Sequence, residues 1–555
     1  MNLPGLTLTE DKIIYRFPFD LSVIEKTKEI GMIWSKAQKC WHMPRNMMNE
    51  HLFRRQFIPD VSQADQVRDV LLEAIGDYTP HPFLMTHQRN DIKLALTKDR
   101  HLFANDTGTG KTFLAIELIK LRNIKTLVVC PLSIIMAAWF EDLDKFRPEL
   151  TKCNLWQQWK RQKRLYQQAL NRHQVCIVNF ESFKVQVNYL RNANFEMVIV
   201  DESSKIKSPK AAITKELTTF CDNVQYVYLM SGTPAPNNDL EYFSQVRIID
   251  PIIFGKSYYS FRNRYFFNPG YGFKWISQRD MRPKFLSQLS KAMTVIRKED
   301  VLDLPERTFN LRDVLLDPNE KKVYNEMAKT LVAEIENEEI TAYNAAVKIM
   351  KLRQVTSGFI FNENGVPLTI GKSKLNELLS LLEEIGDKQV LIWTQFQYEA
   401  SEIVKALAPD QFRAMQVGKF QDVLLKGNGQ RPVGLCNGTV PQATKDLQVQ
   451  MFKDGRIKYM VAHPKSLGHG VTLVNCHYAV YYSLGYSSEE DKQSKDRIYR
   501  KGQRNACTYY FLLAPGTIDH VIYRALETKT KMEAAVLEYV KGAYKAKRIW
   551  EGIEE

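Results

Sequence analysis

The chain has 555 residues, 44% hydrophobic and 25% charged, ordinary globular values that exclude wholesale disorder, a collagen-like repeat and a disulfide-stapled scaffold. Lys and Arg total 77 against 63 Asp and Glu, a net charge of +14, which concentrates polyanions at the surface and puts nucleic acid ahead of an acidic membrane as partner. The longest nearly uncharged run, LVVCPLSIIMAAWF at 127–140, is too short to span a bilayer, and the first ten residues lack a basic region followed by an apolar one; the expectation is an intracellular protein with no membrane partner.

Residues 1–75 carry an aromatic set of their own, Tyr15, Phe17, Phe19, Trp34 and Trp41, a Phe-Pro-Phe strand and the helical stretch SVIEKTKEI, and read as a small α+β module. Trp34 and Trp41, with Lys36, Lys39 and Arg45 nearby, suit a surface that stacks on unpaired bases while gripping phosphates, and equally suit a module core. From about residue 100 to 235 the apolar runs HLFAN, TLVVC, VCIVNF, EMVIVD and QYVYLM alternate with amphipathic stretches, the pattern of a doubly wound parallel sheet; this α/β domain spans 76–305. Within it WQQWKRQKRLYQQALNR, 156–172, reads as an exposed helix, and an aromatic, basic insertion at about 240–300 offers Arg262 and Arg264 as nucleic-acid candidates. A second strand series, KQVLIWT, VGLCNG, IKYMVA, YAVYYS and TYYFLL, predicts a second α/β domain over 306–525, followed by a helical tail, 526–555. The eight cysteines form no C-x-x-C, and Cys40/His42 and Cys476/His477 lack the further ligands of a zinc site.

NDTGTGKT, 105–112, lies between an apolar strand and a helix and has the make-up of a phosphate-binding loop. Gly108 and Gly110 let backbone N–H groups approach phosphate oxygens, flanked by Thr107 and Thr109; Lys111 reaches the β/γ-phosphates and Thr112 ligates Mg²⁺. Asn105 stands where the general pattern has its first glycine. Downstream, EMVIVDESS puts Asp201 and Glu202 at the carboxyl end of a strand of the same sheet, one to hold Mg²⁺ and the next to orient the water that attacks the γ-phosphate of ATP.

Together with THQRNDI (86–92), VVCPLSIIMAAW (128–139), SGTPAPN (231–237), MTVIRKEDVLDLPERT (293–308), KLRQVTSGF (351–359), SLGHGVTLVNC (466–476) and QSKDRIYRKGQ (493–503), these motifs make residues 80–525 resemble a superfamily-two helicase-like motor of the Swi/Snf type. The resemblance implies two tandem RecA-like doubly wound parallel-sheet domains, with Gln88 as the adenine-reading amide and Ser231, Gly232 and Thr233 coupling hydrolysis to DNA movement. It further implies nucleotide and backbone contacts at Gly470, a coupling role for Gln493, and arginine fingers at Arg497 and Arg500, which three-residue spacing sets on one face of a helix. Ser204 departs from the His or Gln usual at its position, which bears on coupling more than on hydrolysis. Residues 16–45 weakly resemble the HARP-like module of annealing helicases.

The expected function is an ATP- and Mg²⁺-dependent DNA motor on duplex, fork or branched DNA with weak sequence preference, in replication, recombination or repair. A compact motor with few appended domains fits a bacterial cell or a virus-infected host. The alternatives are an RNA helicase of the same superfamily and a DNA-binding scaffold with a regulatory nucleotide site.

Overall fold

The computed structural model describes residues 3–57, 81–161, 163–270, 275–336, 342–362, 364–416, 433–467 and 471–528. The chain divides into two units, Met1–Leu302 and Asp303–Glu555.

The first unit begins with an antiparallel sheet in the order β1-β2-β4-β3, formed by β1 (Leu6–Leu8), β2 (Lys12–Tyr15), β3 (Ile33–Ser35) and β4 (Cys40–Pro44). Helix α1 (Leu21–Glu29) starts where the Asp20 carboxylate accepts the Ser22 and Val23 N–H groups, satisfying donors that the first turn leaves open. Helix α2 (Met47–Phe57) closes a core of Ile13, Tyr15, Ile30, Met32, Met43, Met48, Leu52 and Phe53. The Phe-Pro-Phe segment is not a strand: β2 ends at Tyr15, and Phe19 is 84% exposed, because Pro18 has no N–H to give a ladder. The Met48 N–H donates to the Asp222 carbonyl at 3.0 Å and Lys256 Nζ to Asn49 Oδ1 at 3.2 Å, so α2 fastens this small sheet to the rest of its unit.

There the predicted runs form β5 (Arg100–Asn105), β6 (Thr126–Cys130), β8 (Val175–Asn179), β9 (Met197–Asp201) and β10 (Tyr226–Met230). With β7 (Lys152–Asn154) and β13 (Met293–Ile296) they make a seven-stranded sheet, order β13-β5-β10-β9-β6-β8-β7, parallel throughout. Its strands β6, β8, β9 and β10 are apolar nearly along their length because both faces are covered, by separate hydrophobic clusters. The segment resembling an inter-lobe joint therefore begins as an edge strand, with Met293 opposite Leu102 and Ile296 opposite Asn105. The expected exposed helix at 156–172 is broken: helices Leu155–Arg161 and Tyr166–Arg172 flank a 3₁₀ turn at Lys163–Leu165, and Tyr166, Ala169 and Leu170 are buried. The insertion holds helices Tyr242–Ile249, Tyr258–Tyr265 and Arg282–Ala292 and a hairpin of β11 (Phe266–Phe267) and β12 (Ile276–Ser277). Phe254, Phe261, Tyr265, Phe266 and Phe285 join the sheet's own core, Phe254 and Phe285 stacking at 5.3 Å, so most of the aromatic side chains among its described residues are interior.

The second unit has a six-stranded parallel sheet, order β14-β21-β20-β17-β19-β18, of β14 (Arg307–Asp313), β17 (Val390–Trp393), β18 (Gly434–Cys436), β19 (Tyr459–Ala462), β20 (Tyr478–Tyr481) and β21 (Cys507–Leu513). A hairpin of β15 (Phe359–Phe361) and β16 (Pro367–Thr369) follows helix Ala342–Thr356. Helix Ile518–Thr528 forms the described part of the C-terminal region; residues 529–555 of the predicted tail lie outside the described residues. Among the described residues, no helix is long and apolar enough to cross a membrane.

The second unit is fastened internally by a buried ion pair. Lys374 Nζ lies 2.7 Å from Asp519 Oδ2, and the same carboxylate accepts the Thr356 hydroxyl at 3.0 Å and the Ala514 N–H at 3.2 Å. Removing one partner of such a pair leaves a buried charge uncompensated. Lys374→Ala is expected to destabilise this unit by about 3–5 kcal/mol, read from its unfolding midpoint in urea.

Candidate active site

The carboxyl ends of β5, β9 and β10 carry the phosphate loop, the acidic pair and the SGT segment, where a parallel sheet presents a ligand crevice. After Asn105 the chain turns through Gly108 (φ +88°) and Gly110 (φ +80°), left-handed conformations that glycine adopts without strain, into helix α4 (Lys111–Arg122). Lys111 Nζ donates to the carbonyls of Asn105 at 2.8 Å and Asp106 at 3.2 Å. Thr112 stands beside it at the helix start, and Thr109 is buried with its hydroxyl on the Asp106 carbonyl.

Helix α3 (Thr86–Thr97) braces this loop from the side. Gln88 Nε2 donates to the Gly110 carbonyl at 2.9 Å, and Gln88 Oε1 accepts the Met85 N–H at 2.9 Å. A Cβ at Gly110 would lie 2.3 Å from Gln88 Nε2. The structure thus places the residue expected to read adenine against the loop itself. His87 Nε2 lies 2.9 Å from the Thr109 carbonyl and, since a carbonyl only accepts, carries the hydrogen. Asp91 accepts from Asn105 Nδ2 at 2.6 Å, and burial pushes its carboxyl up to about 6 against that bond's pull.

Asp201 ends β9, only 5% exposed. Its Oδ2 accepts the Trp139 indole N–H at 3.0 Å and its Oδ1 the Glu202 N–H at 3.0 Å. Burial, with the charge of Glu202, pushes its carboxyl up to about 6 against the pull of Lys111. Glu202 is half-buried at φ +55°, a backbone position a non-glycine residue keeps only when its surroundings hold it; the buried Ser203 and Ser204 follow in a 3₁₀ turn. The Ser231 N–H donates to the Phe103 carbonyl at 3.1 Å and the Thr233 N–H to Ser231 Oγ at 3.2 Å. A Cβ at Gly232 would lie 3.1 Å from Thr107 Cγ2 and 3.2 Å from Thr107 N, so the SGT segment abuts the phosphate loop.

In the second unit, Gln493 lies on helix Ser488–Lys495 and donates to Glu489 at 3.3 Å. That helix stops at Lys495, so Arg497 and Arg500 do not share a helical face as their spacing predicts. They lie in the turn beyond, where the Arg497 N–H bonds the Ser494 carbonyl and the Arg497 carbonyl accepts the Leu473 N–H at 2.9 Å. The buried Arg497 sends Nη1 to the Val471 carbonyl at 3.3 Å, whereas Arg500 is half-buried. Gln503 Nε2 holds the turn through the Cys476 and Ile498 carbonyls at 2.9 and 3.1 Å. Gly470 lies outside the described residues.

Of the nucleic-acid candidates, Trp34 and Trp41 face each other across β3 and β4 with ring centroids 5.6 Å apart. Trp41 packs partly against the module core, while Trp34 is 45% exposed. Lys36 and Lys39 are exposed in the hairpin turn between these strands, and Arg264 is exposed. Arg45 is held by Glu50 at 2.7 Å and the Thr9 carbonyl at 2.8 Å, and Arg262 lies over the Trp275 ring at 3.8 Å. His87, Asp91 and Trp139 are contacts the motif reading does not single out, although all three lie inside the segments THQRNDI and VVCPLSIIMAAW that carry the resemblance.

A phosphate loop, an acidic strand end and a third loop touching the first, all on one parallel sheet and followed by a second parallel-sheet unit, define a tandem-domain nucleotide hydrolase. The family profile described as SNF2-related domain matches residues 82–358, and that described as helicase conserved C-terminal domain matches 373–502; the chain belongs to the SNF2-type superfamily-two helicases. A putative protein of Acyrthosiphon pisum secondary endosymbiont phage 1 is 24% identical over 84% of this chain and 99% of its own length. The human DNA annealing helicase and endonuclease ZRANB3 is 22% identical over 88% of this chain, and an uncharacterized ATP-dependent helicase of Mycoplasma pneumoniae 21% over 86%. The chain spans under half the length of these two, 44% and 45%. The Sulfolobus solfataricus SWI2/SNF2 ATPase core in complex with dsDNA covers 83% of this chain at 19% identity and a TM-score of 0.38.

The Asp91 carboxyl gives a pH-dependent expectation. A carboxyl raised from 3.8 to about 6 destabilises the fold fully above pH 6, and the cost fades as pH falls toward the unfolded value. Asp91→Asn keeps an acceptor for Asn105 Nδ2 and offers a donor to Asn105 Oδ1, which has no partner among the described residues. The variant is expected to be more stable by about 2–3 kcal/mol at pH 8, with the gain shrinking at pH 5, in denaturant titrations at both values.

Proposed function

We propose that the chain is an ATP-driven motor that tracks along DNA and acts on duplex, fork or branched substrates in replication, recombination or repair. The observation that carries this reading is the contact of the SGT segment with the phosphate loop at one end of a sheet that also carries Asp201 and Glu202. Lys111 moves from the loop carbonyls to the β/γ-phosphates, and Glu202 orients the attacking water. Arg500 supplies the arginine finger, while Arg497 shapes the turn that carries it.

The donor set suits Mg²⁺, which prefers hard oxygen ligands: the Asp201 carboxylate is crowded by the negative charge of Glu202, so its ionised form favours a cation, and the Thr112 hydroxyl lies in the first turn of α4. Bound Mg²⁺ supplies neutralisation of phosphate charge. The other residues bind, orient and exclude water.

The net charge of +14 supports backbone tracking, whose affinity falls steeply with salt. Trp34 with Lys36 and Lys39 makes an aromatic-basic hairpin suited to unpaired bases at a junction, and the likeness to an annealing helicase supports a fork or branched substrate. The DNA-acting relatives favour DNA over RNA. The phage relative, matched along 99% of its length, supports action in a bacterial or phage-infected cell.

The deciding experiment is ATP turnover without polymer and with single-stranded, duplex or fork DNA or RNA, with Glu202→Gln as the blank. Turnover stimulated by duplex or fork DNA is expected; stimulation by RNA alone overturns the reading. Arg500→Ala is expected to lower kcat by about 10³-fold while fluorescent-nucleotide binding to the first unit persists. Lys36→Ala with Lys39→Ala should lower fork affinity and flatten the log–log salt dependence by roughly two, leaving maximal turnover on duplex DNA unchanged.

A further inference from the structure

Helix Tyr242–Ile249 (YFSQVRII) packs Phe243, Val246, Ile248 and Ile249 into the core of the first unit. Gln245 lies among them, fully buried, a costly place for an amide unless every polar atom is matched. It is matched: Oε1 accepts the Ser203 hydroxyl at 2.7 Å, and Nε2 donates to the Pro234 carbonyl at 2.7 Å and the Glu241 carbonyl at 3.2 Å. Ser203, also fully buried, follows Glu202 directly, and Pro234 follows Ser231, Gly232 and Thr233. One side chain therefore joins the segment carrying the water-orienting acid to the segment that abuts the phosphate loop.

Glu202 sits at φ +55°, where its backbone does not hold itself, so the aim of its carboxylate depends on what fixes the residues on either side. On one side its N–H is held by Asp201 Oδ1 at 3.0 Å; on the other, Ser203 is held by Gln245. We infer that Gln245 is a positioning residue for ATP hydrolysis: through Ser203 it sets Glu202, and through Pro234 it keeps that setting in register with the SGT segment.

The inference rests on the motor reading, and the test separates the two. Ser203→Ala and Gln245→Met each remove the bond between the two side chains, and Ser203→Thr keeps the hydroxyl. DNA-stimulated turnover and fluorescent-nucleotide affinity are measured for the wild type, these variants and the double variant. The expected result is a loss of about tenfold to a hundredfold in kcat for Ser203→Ala and Gln245→Met, with ATP KM and nucleotide affinity within about twofold. Ser203→Thr should restore turnover, and the double variant should be no slower than the slower single one. If Gln245→Met fails to fold, the Ser203→Ala and Ser203→Thr pair decides alone. Wild-type kcat in Ser203→Ala, equal losses in the alanine and threonine variants, or multiplying losses in the double variant overturn the inference while the motor reading stands. Absence of turnover in the wild type overturns both.

Discussion

A loop that binds phosphate must turn its N–H groups toward the ligand, so its carbonyls have to be satisfied from elsewhere. In this chain that constraint organises the first unit. The Asn105 carbonyl is taken by Lys111, the Asp106 carbonyl by Lys111 and Thr109, the Thr109 carbonyl by His87 and Gln88, and the Gly110 carbonyl by Gln88. Helix α3 is thereby fixed alongside α4, and Gly232 comes close enough to Thr107 that a side chain there would crowd it. Substituting Gly110 would break the arrangement twice, by its positive φ and by collision with the Gln88 amide.

Two buried carboxyls near this loop share a raised proton affinity and differ in what surrounds them. Asp91 has a neutral neighbour, Asn105, and burial alone raises it. Asp201 lies between the opposing charges of Glu202 and Lys111 with an indole donor on one oxygen. The first carboxyl ties a strand end to a helix. The second, crowded by the like charge of Glu202, is the carboxylate proposed above to hold a cation, so the same physical cause, desolvation, acts on a brace in one place and on a candidate ligand in the other.

Much of this was legible in sequence wherever the signal was local. Five strands of the first sheet appear as continuous apolar runs, and glycine spacing with a following lysine marks the loop without any knowledge of its neighbours. What escaped depends on tertiary partners. Strands β7 and β13 are short edge pieces that take their identity from Val175–Ile177 and Leu102–Asn105 across the ladder. The three-residue spacing of Arg497 and Arg500 suits a helix, but the chain leaves the helix at Lys495 to pair Arg497 with Leu473 and Val471. The aromatic wealth near Phe261 suits both a binding surface and a core in one dimension, and three dimensions decide for the core. Gln245 could be seen only as an anomaly, since nothing in FSQVRII points to Ser203, 42 positions away.

The edge strand β13 carries a mechanical implication. Its last residue, Ile296, receives the Asp106 N–H at 2.9 Å, and two residues later the Lys298 N–H donates to the Asp106 carboxylate at 3.2 Å. The first unit ends at Leu302, so the polypeptide leaves it within one short helix of a clamp on the second residue of the phosphate loop. The loop and the exit strand are thus neighbouring links of one tether, and a change in the shape of the loop is also a change in the anchorage of the strand by which the chain leaves the first unit.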